Sequence, residues 1–210
     1  MKIIKEKFNK NDIQGLPKVQ FNGRIITIIS ESEAVKAVDY LLTQPILGID
    51  SETRPSFKKG SYHRVALLQV STHDTCFLFR LNRIGMPDAI VRLLENETVT
   101  KVGLSLKDDI SQLKHRRDFT PGNFIDLQNE AKELGITDMS LQKLYANLLG
   151  GKISKTQRLS NWECDVLSPA QQQYAAIDAW ACVQLHEEIK RLEHTNDYQL
   201  VKAPQAKNVE

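Results

Sequence analysis

The segment Ile46–Glu52 has the sequence ILGIDSE, a mostly apolar run that ends in two acids one residue apart. A short apolar run of this kind after Pro45 is typical of a buried β-strand. Side chains alternate between the two faces of a strand, so Asp50 and Glu52 lie on the same side. Two like charges held this close repel each other unless a divalent cation neutralises them. Taken alone, the segment is better explained by a strand end at which both acids face water.

The segments around this strand predict the other elements of an α/β domain. Arg24–Ile29 is rich in β-branched residues and predicts a strand, and Ser30 with Glu33 has the capping-box spacing that begins a helix. Two apolar runs joined by a polar turn, Val65–Val70 and Cys76–Leu81, predict an antiparallel hairpin. Farther along, the sequence predicts helices at Pro87–Leu94, Leu106–Lys114, Gln128–Leu134, Leu141–Leu148 and from Ser168 to about Leu192, with short strands at Val99–Val102 and Phe124–Leu127. Because strands come early and helices late, we expect a mixed central sheet flanked by helices.

The composition is that of an ordinary folded domain. The chain has 210 residues, 41% hydrophobic and 26% charged, and its 28 basic and 26 acidic residues give a net charge of +2. A chain of this size can bury a proper core, and the low net charge argues against disorder. No apolar run reaches the roughly 18 residues that a membrane-spanning helix needs, so we expect no membrane span. The nearly balanced charge permits nucleic-acid binding but does not argue for it.

The polarity of both termini predicts one central domain with two loose ends. We expect the domain over residues 21–194, a loosely held arm over residues 1–20 and a frayed polar tail over residues 195–210. The first residues lack the apolar core of an export signal. Three cysteines, Cys76, Cys164 and Cys182, are odd in number and far apart, as is typical of reduced thiols. The sequence therefore predicts a cytoplasmic protein, and it leaves any protein partner unknown.

The final helix carries an acid on its apolar face. At about 100° per residue, Tyr174, Ala181 and Leu185 form one stripe, and Asp178 falls inside it. A carboxylate on a buried face costs several kcal/mol unless a cation or several hydrogen-bond donors compensate it. A structural aspartate bonded to the backbone or to an arginine explains this helix about as well as a functional site does.

A third acidic position lies in the predicted helix Leu106–Lys114. Its inward stripe contains Leu106 and Leu113, and Asp109 falls about 60° from that stripe, whereas Asp108 falls nearly opposite it. Asp109 can therefore reach an inward-facing site, while Asp108 is expected in solvent. An aspartate that complements the dipole at a helix start is the ordinary explanation for either residue.

Together these positions give four acids whose side chains can face the interior, and they lie on three separate elements. Hard oxygen ligands of this kind suit Mg²⁺ or Mn²⁺ better than zinc. Such a cluster can hold two ions about 3.5–4 Å apart, the arrangement that cleaves phosphodiesters by in-line displacement. The acids therefore indicate metal-assisted phosphoryl chemistry more strongly in combination than any one of them does alone.

The chain resembles the DEDD superfamily of 3′–5′ exonucleases, in the branch with a tyrosine in its last motif (DEDDy). It is most similar to the ribonuclease D and Werner-syndrome-type exonuclease domains, from about Ile46 to Leu192. Gly48–Thr53 is similar to the first motif, a strand that ends in Asp-x-Glu, and Val102–Leu113 is similar to the second. The most specific match is Leu159–Trp162 (LSNW) ahead of a helix with a Tyr-x-x-x-Asp motif.

This resemblance implies a ribonuclease-H-like fold and a role for each candidate residue. Asp50, Glu52, Asp109 and Asp178 would ligate two Mg²⁺ or Mn²⁺ ions, and with Tyr174, which would orient the attacking water, they would form the catalytic set. The aspartate of the second motif precedes a leucine by four residues, which selects Asp109. Many members carry asparagine at the position of Asp108, so the choice between the two aspartates stays open. Substrate contacts are expected at Lys155, Arg158, Asn161 and Trp162, although Trp162 also suits a packing role.

We therefore expect a metal-dependent 3′–5′ exonuclease that releases nucleoside monophosphates from single-stranded 3′ ends, with DNA slightly favoured over RNA. The alternative is a catalytically weak or inactive nucleic-acid-binding member of the same fold. A glycosidase that uses Asp50 and Glu52 is disfavoured, because acids two apart on one strand are too close for the separation of about 5 Å or more that flanks a glycosidic bond. A phosphatase for small phosphoesters would leave Tyr174 and the Ser-Asn-Trp segment unexplained.

Overall fold

A computed structural model describes residues 1–57, 60 and 62–203 of the chain. Within these ranges the strands are β1 (Lys2–Lys5), β2 (Arg24–Ile28), β3 (Ile46–Glu52), β4 (Leu67–Ser71), β5 (Thr75–Phe79), β6 (Thr100–Gly103), β7 (Phe124–Asp126) and β8 (Tyr198–Val201). The helices are α1 (Glu31–Leu41), α2 (Leu81–Ile84), α3 (Asp88–Glu95), α4 (Leu106–Lys114), α5 (Leu127–Glu133), α6 (Leu141–Leu149) and α7 (Pro169–Thr195), and a 3₁₀ helix spans Asp12–Gly15. None of the helices in these ranges has the length and apolar character needed to cross a membrane.

Six of the strands form the mixed sheet that the sequence predicts, and their order is β2-β5-β4-β3-β6-β7. Strand β4 runs antiparallel to β3 and β5 antiparallel to β4, whereas the pairs β2–β5, β3–β6 and β6–β7 are parallel. Strand β3 pairs with β6 only over Ile46–Gly48, while its pairing with β4 continues to Glu52. The end of β3 that carries the two acids therefore has a neighbouring strand on one side only.

Helix α7 packs against one face of this sheet, and α1 and α3 cover the other, which divides the core into two buried clusters. One glycine decides how closely α7 approaches β3. A Cβ atom on Gly48 would lie 1.8 Å from the carbonyl oxygen of Ala179, so no other residue fits there without moving the helix. This close approach sets Asp178 beside the acids at the end of β3.

The predicted helix starts are confirmed by their caps. Ser30 and Glu33 form the expected capping box of α1, and Ser168 forms a second one with Gln171 at the start of α7. Gly150 ends α6 in the left-handed conformation, with φ of 68°. The strands and helices predicted between residues 24 and 192 are found with ends displaced by only a few residues.

The two termini are ordered together, so the prediction of a loose arm and a frayed tail is wrong for the described parts of both. Strand β1 pairs in parallel with β8 to form a separate two-stranded sheet, with Lys2 opposite Tyr198 and Lys5 opposite Val201. The side chains of Ile4 and Ile13 are buried in the core. The polar composition of the first 20 residues suggested a loose arm. The buried side chains of Ile4 and Ile13 and the pairing of β1 with β8 instead hold this segment in place. Residues 204–210 of the predicted tail lie outside the described residues.

Candidate active site

Three of the predicted acids come together where β3 ends beneath α7. Carboxylate oxygens of Asp50, Glu52 and Asp178 all lie within 4.8 Å of one another. Asp178 is buried, with only 6% of its surface exposed, and the other two acids are partly buried. Strand alternation and the apolar stripe of the final helix thus predicted the right side chains. The close packing at Gly48 is what joins them into one site.

Burial raises the pKa of all three acids, and neighbouring negative charges raise the pKa of Asp50 and Glu52 further. Burial raises the pKa of Asp50 well above its ordinary value, and the charges of Asp178, Asp109 and Glu52 raise it further. Burial together with Asp178 and Asp109 raises the pKa of Glu52 to about 9. Burial raises the pKa of Asp178 to about 7, against the opposing effects of Tyr174 and Lys155. Converging oxygen ligands that repel one another in this way form a donor set that fits hard divalent cations.

Asp109 reaches the same region but has a different partner. Its carboxylate accepts a hydrogen bond from the hydroxyl of Ser51, between the two acids of β3. Burial raises its pKa, and its own charge contributes to the raised pKa of Asp50 and Glu52. Asp108 is exposed, as the helical wheel predicts. The geometry therefore favours Asp109 over Asp108 as the fourth acid.

The start of α4, which carries Asp109, is fixed by an aspartate that the sequence did not single out. Ser105 adopts a left-handed conformation with φ of 61°. The backbone N–H groups of Ser105 and Leu106 each donate to the Asp126 carboxylate at 3.0 Å. The same carboxylate caps α5 through the N–H of Gln128. Asp126 thus positions α4 from the neighbouring strand β7, and only a spatial arrangement could reveal this role.

Tyr174 lies one turn before Asp178, and its hydroxyl lies near the carboxylates of Asp178 and Glu52. Burial and the nearby charges of Asp178 and Glu52 raise the pKa of Tyr174 far above its ordinary value. The hydroxyl is therefore a permanent hydrogen-bond donor at the edge of the acidic cluster. A phenol held in this state can orient a water molecule but cannot act as a base.

Of the two roles considered for Trp162, the structure shows the packing role and not the substrate-facing one. Its side chain is fully buried, and its ring packs on Tyr174 with the ring centroids 6.0 Å apart. A ring with no exposed surface cannot stack on a base in this conformation, so Trp162 supports the position of Tyr174 instead. Burying the large apolar area of this ring inside the protein is more favourable than exposing it as a stacking surface.

The other predicted substrate contacts lie at the surface beside the acids. Lys155, Arg158 and Asn161 are exposed. The charge of Arg158 lowers the pKa of Glu52, and that of Lys155 lowers the pKa of Asp178, so both cations lie near the cluster. Asn161 has a local structural contact, since its side-chain oxygen accepts from the N–H of Glu163 at 3.1 Å. The two cations therefore lie beside the acidic cluster, and Asn161 shapes the adjacent loop.

Glu163 is a residue near the site that sequence reasoning missed. Its carboxylate pairs with Arg54 at 3.3 Å and with Nδ1 of His63 at 3.1 Å. These partners come from either end of the segment between β3 and Val65, so Glu163 fastens that segment to the loop after Trp162. The only signal in the sequence was the position of Glu163 directly after the Ser-Asn-Trp motif.

The chain matches the 3′–5′ exonuclease family over residues 25–192. It is 30% identical over 195 residues to a 3′–5′ exonuclease of Arabidopsis thaliana, covering 85% of this chain and 68% of the plant protein. It is 29% identical over 194 residues to the mouse bifunctional 3′–5′ exonuclease/ATP-dependent helicase WRN. That match covers 86% of this chain but only 14% of the mouse protein.

Among solved structures, the chain is similar to Escherichia coli RNase D, an exoribonuclease involved in structured RNA processing. The TM-score is 0.71 at 18% identity, covering 83% of this chain and 47% of the RNase D chain. This similarity confirms the expected ribonuclease-H-like fold, in which the mixed sheet brings the acids together. Its agreement with the family match over residues 25–192 shows that this chain belongs to the DEDD superfamily of 3′–5′ exonucleases and is a hydrolase of phosphodiester bonds.

Proposed function

We propose that this enzyme removes nucleoside monophosphates one at a time from single-stranded 3′ ends, and that DNA is a slightly better substrate than RNA. The observation that carries the proposal is the convergence of Asp50, Glu52 and Asp178 beneath α7, with Asp109 beside them. The acids lie at the end of β3 that pairs with β4 but extends beyond its pairing with β6. We also propose a cytoplasmic location, supported by three unpaired cysteines.

The acids would hold two divalent cations, Mg²⁺ or Mn²⁺. When bound, such ions lower the pKa of a water molecule and offset the charge that develops on the leaving oxygen. The raised pKa values of Asp50, Glu52 and Asp178 support this proposal, because a bound cation would favour the ionised form of all three carboxyl groups. Lys155 and Arg158 would hold the phosphate of the last nucleotide against the cluster.

Tyr174 supports assignment to the tyrosine-containing branch, which we propose for this chain. Its protonated hydroxyl can orient a water molecule beside Asp178. Replacing it, Tyr174→Phe, is expected to slow cleavage about a hundredfold while oligonucleotide binding is retained. The matched control is Tyr145→Phe. It removes a hydroxyl on α6 that donates to the side chain of Gln184 on α7 at 2.6 Å. Equal rates for the two variants would contradict the role of Tyr174.

The proposed activity is tested with end-labelled DNA and RNA strands of equal sequence, blocked in turn at each end. Products are resolved on denaturing gels with Mg²⁺, Mn²⁺ or chelator. We expect shortening only from a free 3′ end, only with a divalent cation, and faster on DNA. Asp178→Asn should abolish it, because the central carboxylate is lost. Retention of strands without shortening in Mn²⁺ would instead favour the inactive nucleic-acid-binding alternative.

A further inference from the structure

A glutamine in the middle of the sheet has no hydrogen-bond partner, although its side chain is fully buried. Gln69 lies on β4, and none of its surface is exposed. Neither the nitrogen nor the oxygen of its side-chain amide has a partner among the described residues. Buried polar groups in native proteins are nearly always hydrogen-bonded, because an unsatisfied one destabilises the fold. This amide therefore calls for an explanation beyond packing.

The register of the sheet places Gln69 directly beside an acid of the site. Gln69 on β4 is paired with Asp50 on β3 in the antiparallel part of the sheet. Residues that lie opposite each other in such a pair project to the same face, with their Cβ atoms about 4.5–5.5 Å apart. Leu67, two residues before Gln69, packs in the cluster beneath α7. Because residues two apart on a strand share a face, Gln69 also points towards α7 and the acids.

The other side chains that the sheet places around Gln69 leave Asp50 as its partner. Leu67 on the same strand and Leu78, which is paired with Gln69 on β5, are apolar and buried. Ser71, two residues farther along β4, already donates its hydroxyl to a backbone carbonyl at 2.8 Å. Asp50 is thus the neighbour whose side chain can accept a hydrogen bond from the amide.

A carboxylate that holds a metal ion is ordinarily itself held by a neighbouring hydrogen-bond donor. Loss of such a donor typically weakens metal binding or activity about 10–100-fold. Asp109 has a donor of this kind in the hydroxyl of Ser51. A glutamine amide supplies two N–H donors, whereas an ionised carboxylate only accepts. Gln69 is therefore suited to support Asp50 as Ser51 supports Asp109.

We propose that Gln69 is a positioning residue for the metal site: its amide nitrogen donates to the Asp50 carboxylate and fixes the orientation in which that carboxylate meets a divalent cation. The spacing across the strand pair is within reach of a glutamine side chain, so the bond needs no movement of either strand. The proposal rests on the proposed metal-dependent function. It adds a residue that touches neither the cation nor the substrate and acts through Asp50.

The experiment measures Mn²⁺ binding by electron paramagnetic resonance, without nucleic acid. Gln69→Met removes the amide and keeps the length of the side chain, and Gln69→Leu is a second variant without the amide. We expect both to bind Mn²⁺ about tenfold more weakly than the unmodified enzyme, because Asp50 loses its support. In chelator, Gln69→Met should unfold at the same urea concentration or a higher one, because no unpaired amide is left buried.

Ser71→Ala is the matched control, because Ser71 is buried on the same face of β4 but is paired with Gly48 instead of an acid. It should bind Mn²⁺ within about twofold of the unmodified enzyme. Unchanged Mn²⁺ affinity in both Gln69 variants overturns the proposal, and so does an equal loss of affinity in Ser71→Ala. A glutamine with a structural role alone would instead show lower stability in chelator and unchanged Mn²⁺ affinity.

A second measurement needs no variant. The side-chain amide resonances of Gln69, assigned in the unmodified enzyme by nuclear magnetic resonance, should shift when Mg²⁺ is added, because the amide then donates to an ionised Asp50. Resonances that stay in place while Mg²⁺ binds would refute the role of Gln69. Strand shortening is scored separately: an unmodified enzyme that binds no divalent cation would sink the proposed function as well, whereas normal binding by the Gln69 variants would remove this inference alone.

Discussion

Asp109 is the acid whose surroundings differ most from those of its partners. It is bonded to Ser51, whereas the other three acids face one another directly. Its burial and its electrostatic effect on Asp50 and Glu52 still place it within the site. Asp108, its neighbour in sequence, has no comparable environment because it is exposed.

The choice between these aspartates gives a direct test. Asp109→Asn is expected to lower the cleavage rate at least about a hundredfold, because the proposed fourth ligand of the metal site loses its charge. Asp108→Asn should leave the rate within about twofold, as is usual for an exposed side chain. Initial rates on a single-stranded DNA at saturating Mn²⁺ provide the comparison. The reverse order of the two variants would show that α4 presents its other face to the site.

At the residue scale, patterns predicted which acids point inward but not how their neighbours hold them. The stripe on the last helix identified Asp178, and strand alternation identified Asp50 and Glu52. The hydrogen bond from Ser51, the clamp at Glu163 and the burial of Trp162 depend on loops that meet in space. Periodicity carries no information about such contacts, so the sequence could not decide between a packing role and a substrate contact for Trp162.

At the scale of elements, a buried arginine holds the loop that follows Trp162. Arg80 lies between β5 and α2 and is only 2% exposed. Its guanidinium donates to the backbone carbonyl groups of Cys164 and Asp165. Burial lowers its pKa, which shows that the charge is kept there at some cost. Arg83 contacts Asp165 as well, at 2.7 Å, but from the surface.

These two arginines form a matched pair for mutation. Arg80→Met should lower the free energy of unfolding by about 2 kcal/mol, because buried carbonyl groups lose their donor. Arg83→Met should change it by less than about 0.5 kcal/mol, because exposed ion pairs contribute little. Urea denaturation in chelator measures both. Similar losses for the two variants would mean that the loop is held by something other than the buried guanidinium.

Most of the helices and strands could be predicted from the sequence, but the pairing of the two chain termini could not. Helix starts carry local signals, and both capping boxes are found where the sequence places them. Strand β1 has no such signal, because its partner β8 lies at the far end of the chain and the pairing is parallel. Long-range pairing of short strands is set by tertiary structure, so a polar terminus was mistaken for a loose one.

At the scale of the whole molecule, the joined termini should add to stability. Ile4→Ala is expected to lower the free energy of unfolding by about 3 kcal/mol, since Ile4 is fully buried. Ile3→Ala, one residue earlier on the opposite face and 63% exposed, should cost less than about 0.5 kcal/mol. Thermal and urea unfolding of both variants test this. A negligible effect of Ile4→Ala would show that β1 and β8 are held apart from the cooperative fold.

The acidic cluster also affects the stability of the whole protein, because buried carboxylates that suit a cation destabilise the metal-free fold. Asp178 has a pKa of about 7 in the folded chain, above its ordinary value of about 3.9 in an unfolded one. Between these values the folded state binds more protons than the unfolded state, so the metal-free enzyme should lose stability as the pH rises through this range. Asp178→Asn removes this buried charge and its repulsion of Asp50 and Glu52. It should therefore raise the unfolding free energy in chelator at alkaline pH by about 1 kcal/mol or more, with a smaller gain at mildly acidic pH.

A divalent cation should reverse the order of stability of the unmodified enzyme and the Asp178→Asn variant. Mn²⁺ binds the folded unmodified enzyme and stabilises it by mass action, whereas the variant lacks a ligand and gains less. Denaturation midpoints with chelator and with Mn²⁺, at both pH values, give the full comparison, and Asp108→Asn serves as the exposed control. If Asp178→Asn were no more stable than the unmodified enzyme in alkaline chelator, the carboxylates could not be repelling one another as the geometry requires. If Mn²⁺ then stabilised both proteins equally, Asp178 would have no part in holding the cation.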